Sequence, residues 1–126
     1  MEVLGIRSFA LGTPYPRAVH KLACDWFERA GYRLTDHATL DILAMREVPR
    51  VATEEVIALA QGLKTDNADA ILLLATDLPT FTAIARIEEI IGNPVVTNNQ
   101  ALLWDCLRRL GISTKDIALG QLFRSA

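Results

Sequence analysis

The chain has 126 residues, enough for one domain with a packed core, and 51% of them are hydrophobic. Charged residues make up 22%, the formal net charge is -2, and no cluster of Lys or Arg occurs, which argues against nucleic-acid and anionic-membrane partners. No apolar run approaches the ~18–20 residues of a membrane span. Met1 to Ser8 carries no leader pattern, so the reading is a cytosolic protein with Cys24 and Cys106 both reduced.

Short apolar runs alternate with amphipathic stretches, the pattern of βαβ units. Ser8 to Gly12 reads as a first strand, and Pro14 and Pro16 then mark a turn. Val19, Leu22, Ala23, Trp26 and Ala30 recur at helical spacing and predict a helix with that apolar face, stopped by Gly31. Tyr32 to Leu40 reads as a second strand, and Asp41 to Val51 as a loop with one helical turn. Thr53, followed by Glu54 and Glu55, starts a helix that buries Val56, Leu59, Ala60 and Leu63. Ala70 to Ala75 is apolar on both faces, as a central parallel strand covered by helices should be.

Thr76 to Pro79 turns into a helix whose face is Thr80, Ala83, Ile84, Ile87 and Ile91, and Gly92 stops it. Pro94 to Thr97 is a short fourth strand. Asn98 or Asn99 caps a last long helix that buries Leu103, Cys106, Leu107 and Leu110 and ends at Gly111. In the tail, Ile112 to Ala126, Leu119, Leu122 and Phe123 require something to pack on. Right-handed crossovers then give an α/β fold: a flavodoxin-like four-stranded parallel sheet with helices on both faces.

In such sheets ligands bind beyond the carboxyl ends of the strands. Three turns meet there: Gly12-Thr13-Pro14-Tyr15, Ala75-Thr76-Asp77-Leu78 and Thr97-Asn98-Asn99-Gln100. Each opens a helix, whose free N–H groups and positive dipole end favour a small anion such as a carboxylate. Thr13, Thr76, Asn98 and Tyr15 can add side-chain donors; the plainer reading is that they cap helices and pack a turn. His20 and His37 lack any triad or metal spacing, and His20, off the apolar face of its helix, is expected in solvent. Cys24 and Cys106 are mid-helix and read as structural. Glu54, Glu55, Glu88 and Glu89 read as solvated. No metal, dinucleotide or phosphate-loop motif is present, which argues against a phosphate-binding flavodoxin-like domain and predicts no cofactor.

The motifs Gly12-Thr13-Pro14-Tyr15-Pro16, Ala75-Thr76-Asp77-Leu78-Pro79-Thr80 and Pro94-Val95-Val96-Thr97-Asn98-Asn99-Gln100-Ala101, with the tail Gly120-Gln121-Leu122-Phe123, carry a resemblance. Together they resemble the aspartate/glutamate racemase superfamily, in the branch of maleate cis–trans isomerase, arylmalonate decarboxylase and ectoine-utilisation proteins. Members of that branch are about twice as long, with two similar α/β halves and the active site between them. The likeness covers only the second half, and Glu2 to Arg7 looks like the end of the helix that joins the halves.

The resemblance implies a site for a small mono- or dicarboxylate. Thr13, Pro14 and Tyr15 match the loop that holds a carboxylate or stabilises enediolate-like charge, and the amides of Thr76 and Asp77 match the substrate-carboxylate cradle, beside Asn98. The family's second catalytic cysteine falls at Ala75, where a methyl group cannot act as acid, base or nucleophile. The chain alone is therefore expected to be inactive. Its missing half implies a homodimer or a separate first-half chain, and the alternative is a non-catalytic binding module that homodimerises.

Overall fold

The computed structural model describes residues 1–125, which leaves Ala126, the end of the predicted tail, outside the description. The two central strands are β1 (Ser8–Thr13) and β3 (Ala70–Leu73), both buried at every position. β2 (Arg33–Thr39) and β4 (Val95–Thr97) flank them, giving a four-stranded, all-parallel sheet in the order β2-β1-β3-β4. Each crossover carries a helix: α1 (Arg17–Arg29), α2 (Thr53–Gln61) and α3 (Phe81–Ile91). α4 (Asn98–Arg109) and the short α5 (Gly120–Arg124) follow the last strand, and single 3-10 segments form at Glu2–Leu4 and Met45–Arg50.

Side-chain alternation along the strands divides the core into two layers. Ala10, Ile71, Leu73 and Val95 pack with α2 and α3, while Phe9, Leu11, Leu72 and Val96 pack with Cys24 and Phe27 of α1. A β-bulge decides what β2 adds to each layer. The β1–β2 register shifts between Phe9 and Ala10, so that Leu34 pairs with Phe9 but Asp36 with Ala10. The extra residue flips the alternation. His37 and Thr39 therefore pair with Leu11 and Thr13 and face α1, while Ala38 joins the α2–α3 core.

Several faces differ from the expectation. Most of the predicted apolar face of α1 is in solvent: Val19, Leu22 and Trp26 are 45%, 67% and 62% exposed, whereas His20 and Cys24 are buried and only Ala23 of that face packs inward. α1 packs over the half-buried, polar strand β2, so polar groups with partners occupy its inner face. On α4, Leu103 and Leu107 pack as predicted, but Cys106 and Leu110 are exposed and Trp104 and Gln100 take the interior. The Thr76–Pro79 turn leads into a helix as expected, beginning at Phe81 with Thr80 as its cap, but β3 ends at Leu73, two residues short of Ala75. Val56, Leu59, Ala60, Thr80, Ala83, Ile84 and Ile87 are buried as expected, with Leu63 just past α2, and Ile91 is partly buried.

Glu88 is a further correction, because it is buried rather than solvated. One carboxylate oxygen accepts the Val95 N–H at 2.9 Å, and both accept the Gln121 N–H. It thereby ties β4 to α5 and satisfies an edge-strand donor. The tail docks there, and Leu119, Leu122 and Phe123 pack with Trp104. Gly120 makes the approach possible: its φ is +79, and an added Cβ would lie 2.7 Å from both Glu88 Oε1 and Ile84 Cγ2. Replacing Gly120 by Ala should therefore cost about 1–3 kcal/mol through strain and overpacking. Chemical denaturation of the variant would measure the loss, and an unchanged midpoint would show that the tail is not anchored through this contact.

Candidate functional site

The three strand-end turns expected to meet do so. Leu74, just after β3, donates its N–H to the Gly12 carbonyl at 3.0 Å, joining the first two turns. Ala75 donates its N–H to Asn98 Oδ1 at 2.8 Å, and Asn99 Nδ2 donates to the Thr76 carbonyl at 2.8 Å, joining the second turn to the third. Thr97 caps α4 by accepting the Gln100 N–H, and Gln100 Oε1 accepts the Thr97 N–H in return. The helix end that reaches Ala75 is thus that of α4, not α3.

Ala75 has φ 91, in the left-handed region that costs a residue with a Cβ about 1–3 kcal/mol. Its side chain is buried. Thr76 is exposed and Asp77 half-buried, and among the described residues no acceptor meets the N–H of either. A cleft of about 230 Å3 opens here, lined by Thr76, Asp77, Pro79, Thr80 and Asn99 among others.

On the first turn, Pro14 is buried and Tyr15 packs against the core beneath. Burial and the nearby Asp77 carboxylate raise the pKa of Tyr15, so its phenol stays protonated and able to donate. Thr13 is fully buried and its hydroxyl is engaged internally. The Tyr15 carbonyl accepts the Thr39 hydroxyl. Thr39 in turn accepts from the Thr13 hydroxyl at 3.3 Å, and Thr13 meets His20 Nδ1 at 2.8 Å. Thr13 thus braces the loop from below. The Asp41–Val51 segment is fastened to the same loop by the Ile42 N–H on the Pro14 carbonyl, 3.0 Å.

Sequence reasoning missed this polar layer. His20 is buried, not in solvent, and sits 3.0 Å from His37 and 3.6 Å from the Cys24 sulfur. Burial, then the neighbouring His37, lowers the His20 pKa and keeps the ring neutral at pH 7. Burial first, then Glu28 and Asp25, raises the Cys24 pKa and keeps the thiol protonated. The one available signal was the four-residue spacing of His20 and Cys24, a single turn of helix.

Comparison with known proteins places this arrangement. A family model described as arylmalonate decarboxylase matches residues 1–123. A maleate isomerase of Alcaligenes faecalis is 27% identical over 116 residues, covering 91% of this chain and 46% of that protein. The arylmalonate decarboxylase of Bordetella bronchiseptica is 29% identical over 117 residues, 91% of this chain and 49% of that one. The maleate cis-trans isomerase of Nocardia farcinica, solved as a Cys→Ser variant with a covalently bound succinylcysteine intermediate, matches with TM-score 0.93 at 26% identity. That match covers 99% of this chain and 51% of the other. The chain therefore spans about half the length of the curated relatives it matches.

The influence of the Asp77 charge on Tyr15 has a spectroscopic consequence. Asp77→Asn removes a negative charge and should lower the Tyr15 pKa, measured by ultraviolet titration with Tyr15→Phe to assign the signal. An unmoved Tyr15 titration would mean that the first and second turns do not share a field.

Proposed function

The chain belongs to the arylmalonate decarboxylase family, and on that premise we propose that its strand-end turns form one half of a small-carboxylate site whose thiol position is held by Ala75. In this reading the chain corresponds to the second of two similar α/β halves. The observation that carries it is the backbone at Ala75. A left-handed alanine just past the central strand is strained backbone, and such strain clusters at turns shaped for function. A strained strand-end turn is also how α/β folds expose a nucleophile at the top of a sheet.

The donors left around the turn suit a carboxylate. The N–H groups of Thr76 and Asp77 are free among the described residues, the Asn98 amide is exposed, and Tyr15 is a neutral phenol. Thr13 and Pro14 shape the loop that presents Tyr15. Two hydrogen bonds from adjacent amides and one from a phenol can hold an anionic oxygen and stabilise charge developing beside it. Proton transfer at a carbon next to the carboxylate still needs a general acid or base. The Ala75 methyl supplies neither, so the chain binds without turning substrate over.

A second reading, an interaction module that pairs with its own copy, draws on the surface beside the site. Leu43 and Met45 are 80% and 75% exposed on the segment fastened to the Pro14 carbonyl. A second copy covering them would bring two sets of turns together, and the pairing is the isologous kind common in homodimers. Sedimentation velocity at micromolar concentration should then show a dimer; a strict monomer removes this reading.

Calorimetric titration with maleate, succinate and a substituted malonate tests the site itself. Heat of binding is expected for at least one dicarboxylate, and Tyr15→Phe should weaken it about tenfold, the worth of one hydrogen bond to a charged group. Absence of heat and of any thermal shift across the series would overturn the carboxylate reading.

A further inference from the structure

A second cleft, about 540 Å3, opens between α1 and β2, below the first strand-end turn. Its floor carries three side chains that no step above uses. His20 and Cys24 lie one helical turn apart on α1, and the bulge in β2 turns His37 toward them. His20 Nε2 lies 3.0 Å from His37 Nδ1, and Cys24 Sγ lies 3.6 Å from His20 Nε2. The three ligand atoms all fall within 4.8 Å of one another. Around a tetrahedral zinc ion, with bonds of about 2.0–2.1 Å to nitrogen and 2.3 Å to sulfur, paired nitrogens stand about 3.3 Å apart and nitrogen and sulfur about 3.6 Å. Two sides of the triangle are already close to that size, and the third, from Cys24 to His37, is at most 4.8 Å.

The hydrogen bonds beneath it fix the direction of the donor electrons. A backbone carbonyl only accepts, so Thr39 gives its one proton to the Tyr15 carbonyl. Thr39 must then accept from Thr13, and Thr13, its own proton committed, must accept from His20 Nδ1–H. This leaves His20 Nε2 as an unprotonated lone pair aimed at His37 and Cys24. A ligating histidine held by a second-shell acceptor on its other nitrogen is the usual architecture of a metal site. In the free protein the Nδ1–H of His37 fills the gap between the two rings.

We propose that His20, Cys24 and His37 form a three-ligand site for a zinc-class divalent cation, with its fourth position open to the cleft. Binding moves the His37 proton from Nδ1 to Nε2, which is on the exposed side of the ring, and releases one proton to solvent from the Cys24 thiol. The buried histidine and cysteine give the site its rigidity, and the exposed His37 gives the ion an entry path. The Thr13–Thr39 relay connects the ion to the Tyr15 carbonyl, so an occupied site fixes the loop that bears Tyr15. The site stands independently of the carboxylate reading.

The test is titration of the chelator-stripped full chain with Co2+, followed by competition with Zn2+. One equivalent of cobalt should bind with a thiolate charge-transfer band and tetrahedral visible bands, and zinc should displace both. Cys24→Ser should abolish the charge-transfer band, and His37→Asn, at an exposed edge position, should weaken binding by more than about tenfold, no less than the loss of an outer-shell partner costs. Cys106→Ser, on the exposed side of α4, should change nothing. A featureless cobalt titration overturns the proposal, and so does a thiolate band that survives Cys24→Ser. Should Cys24→Ser fail to fold by circular dichroism, His37→Asn decides alone: unaltered cobalt affinity overturns the site.

Discussion

The hydrogen bond from the Ala75 N–H to Asn98 Oδ1, 2.8 Å long, is the constraint on which the candidate site depends. It crosses from the turn after β3 to the first residue of α4 and holds an alanine at φ 91. The cost of that backbone, about 1–3 kcal/mol, must be met by the surrounding structure. The structure does so from both sides. Leu74 is fastened to Gly12, Asn99 to the Thr76 carbonyl, and Thr97 and Gln100 brace the start of α4. Below, Gln100 also donates to the Leu119 carbonyl, so the docked tail supports the same turn.

The two ends of the chain's polar wiring serve different purposes. Glu88 is a structural carboxylate: its oxygens hold Val95 and Gln121, and Gly120 exists to let α5 come close. The Thr13–Thr39–His20 relay instead leads from the loop at the top of the sheet into the cleft between α1 and β2. It lets a buried helix face be polar without leaving a donor unpaired. That is why α1 inverts, with Val19, Leu22 and Trp26 outside and His20 and Cys24 within.

The four parallel strands were legible because short apolar runs alternate with amphipathic stretches, and β3 was legible as a central strand because its run is apolar on both faces. α2 and α3 were legible because both pack on an apolar layer, so hydrophobic spacing and burial coincide. The buried face of α1, though not the helix itself, was missed, because periodicity assumes an apolar surface opposite, and β2 offers His37 and Thr39 there. The β2 bulge was invisible for a related reason: one extra residue reverses the alternation, and only the partner strand reveals it. At the candidate site the meeting of the three turns was readable from topology alone. The left-handed backbone at Ala75, the bracing by Asn98 and the burial of Thr13 were not, since each depends on contacts between segments distant in the chain.

The account's central claim is that the turn at Ala75 keeps a geometry suited to a thiol although it carries none. Installing one by Ala75→Cys and following its alkylation, in a Cys106→Ser background and with circular dichroism to confirm the fold, tests this directly. A thiol beside the start of α4 and free amides should ionise below the usual range and alkylate faster than an exposed cysteine such as Cys106, and a bound dicarboxylate should protect it. Alkylation no faster than that of Cys106, unaffected by any dicarboxylate, would contradict the account.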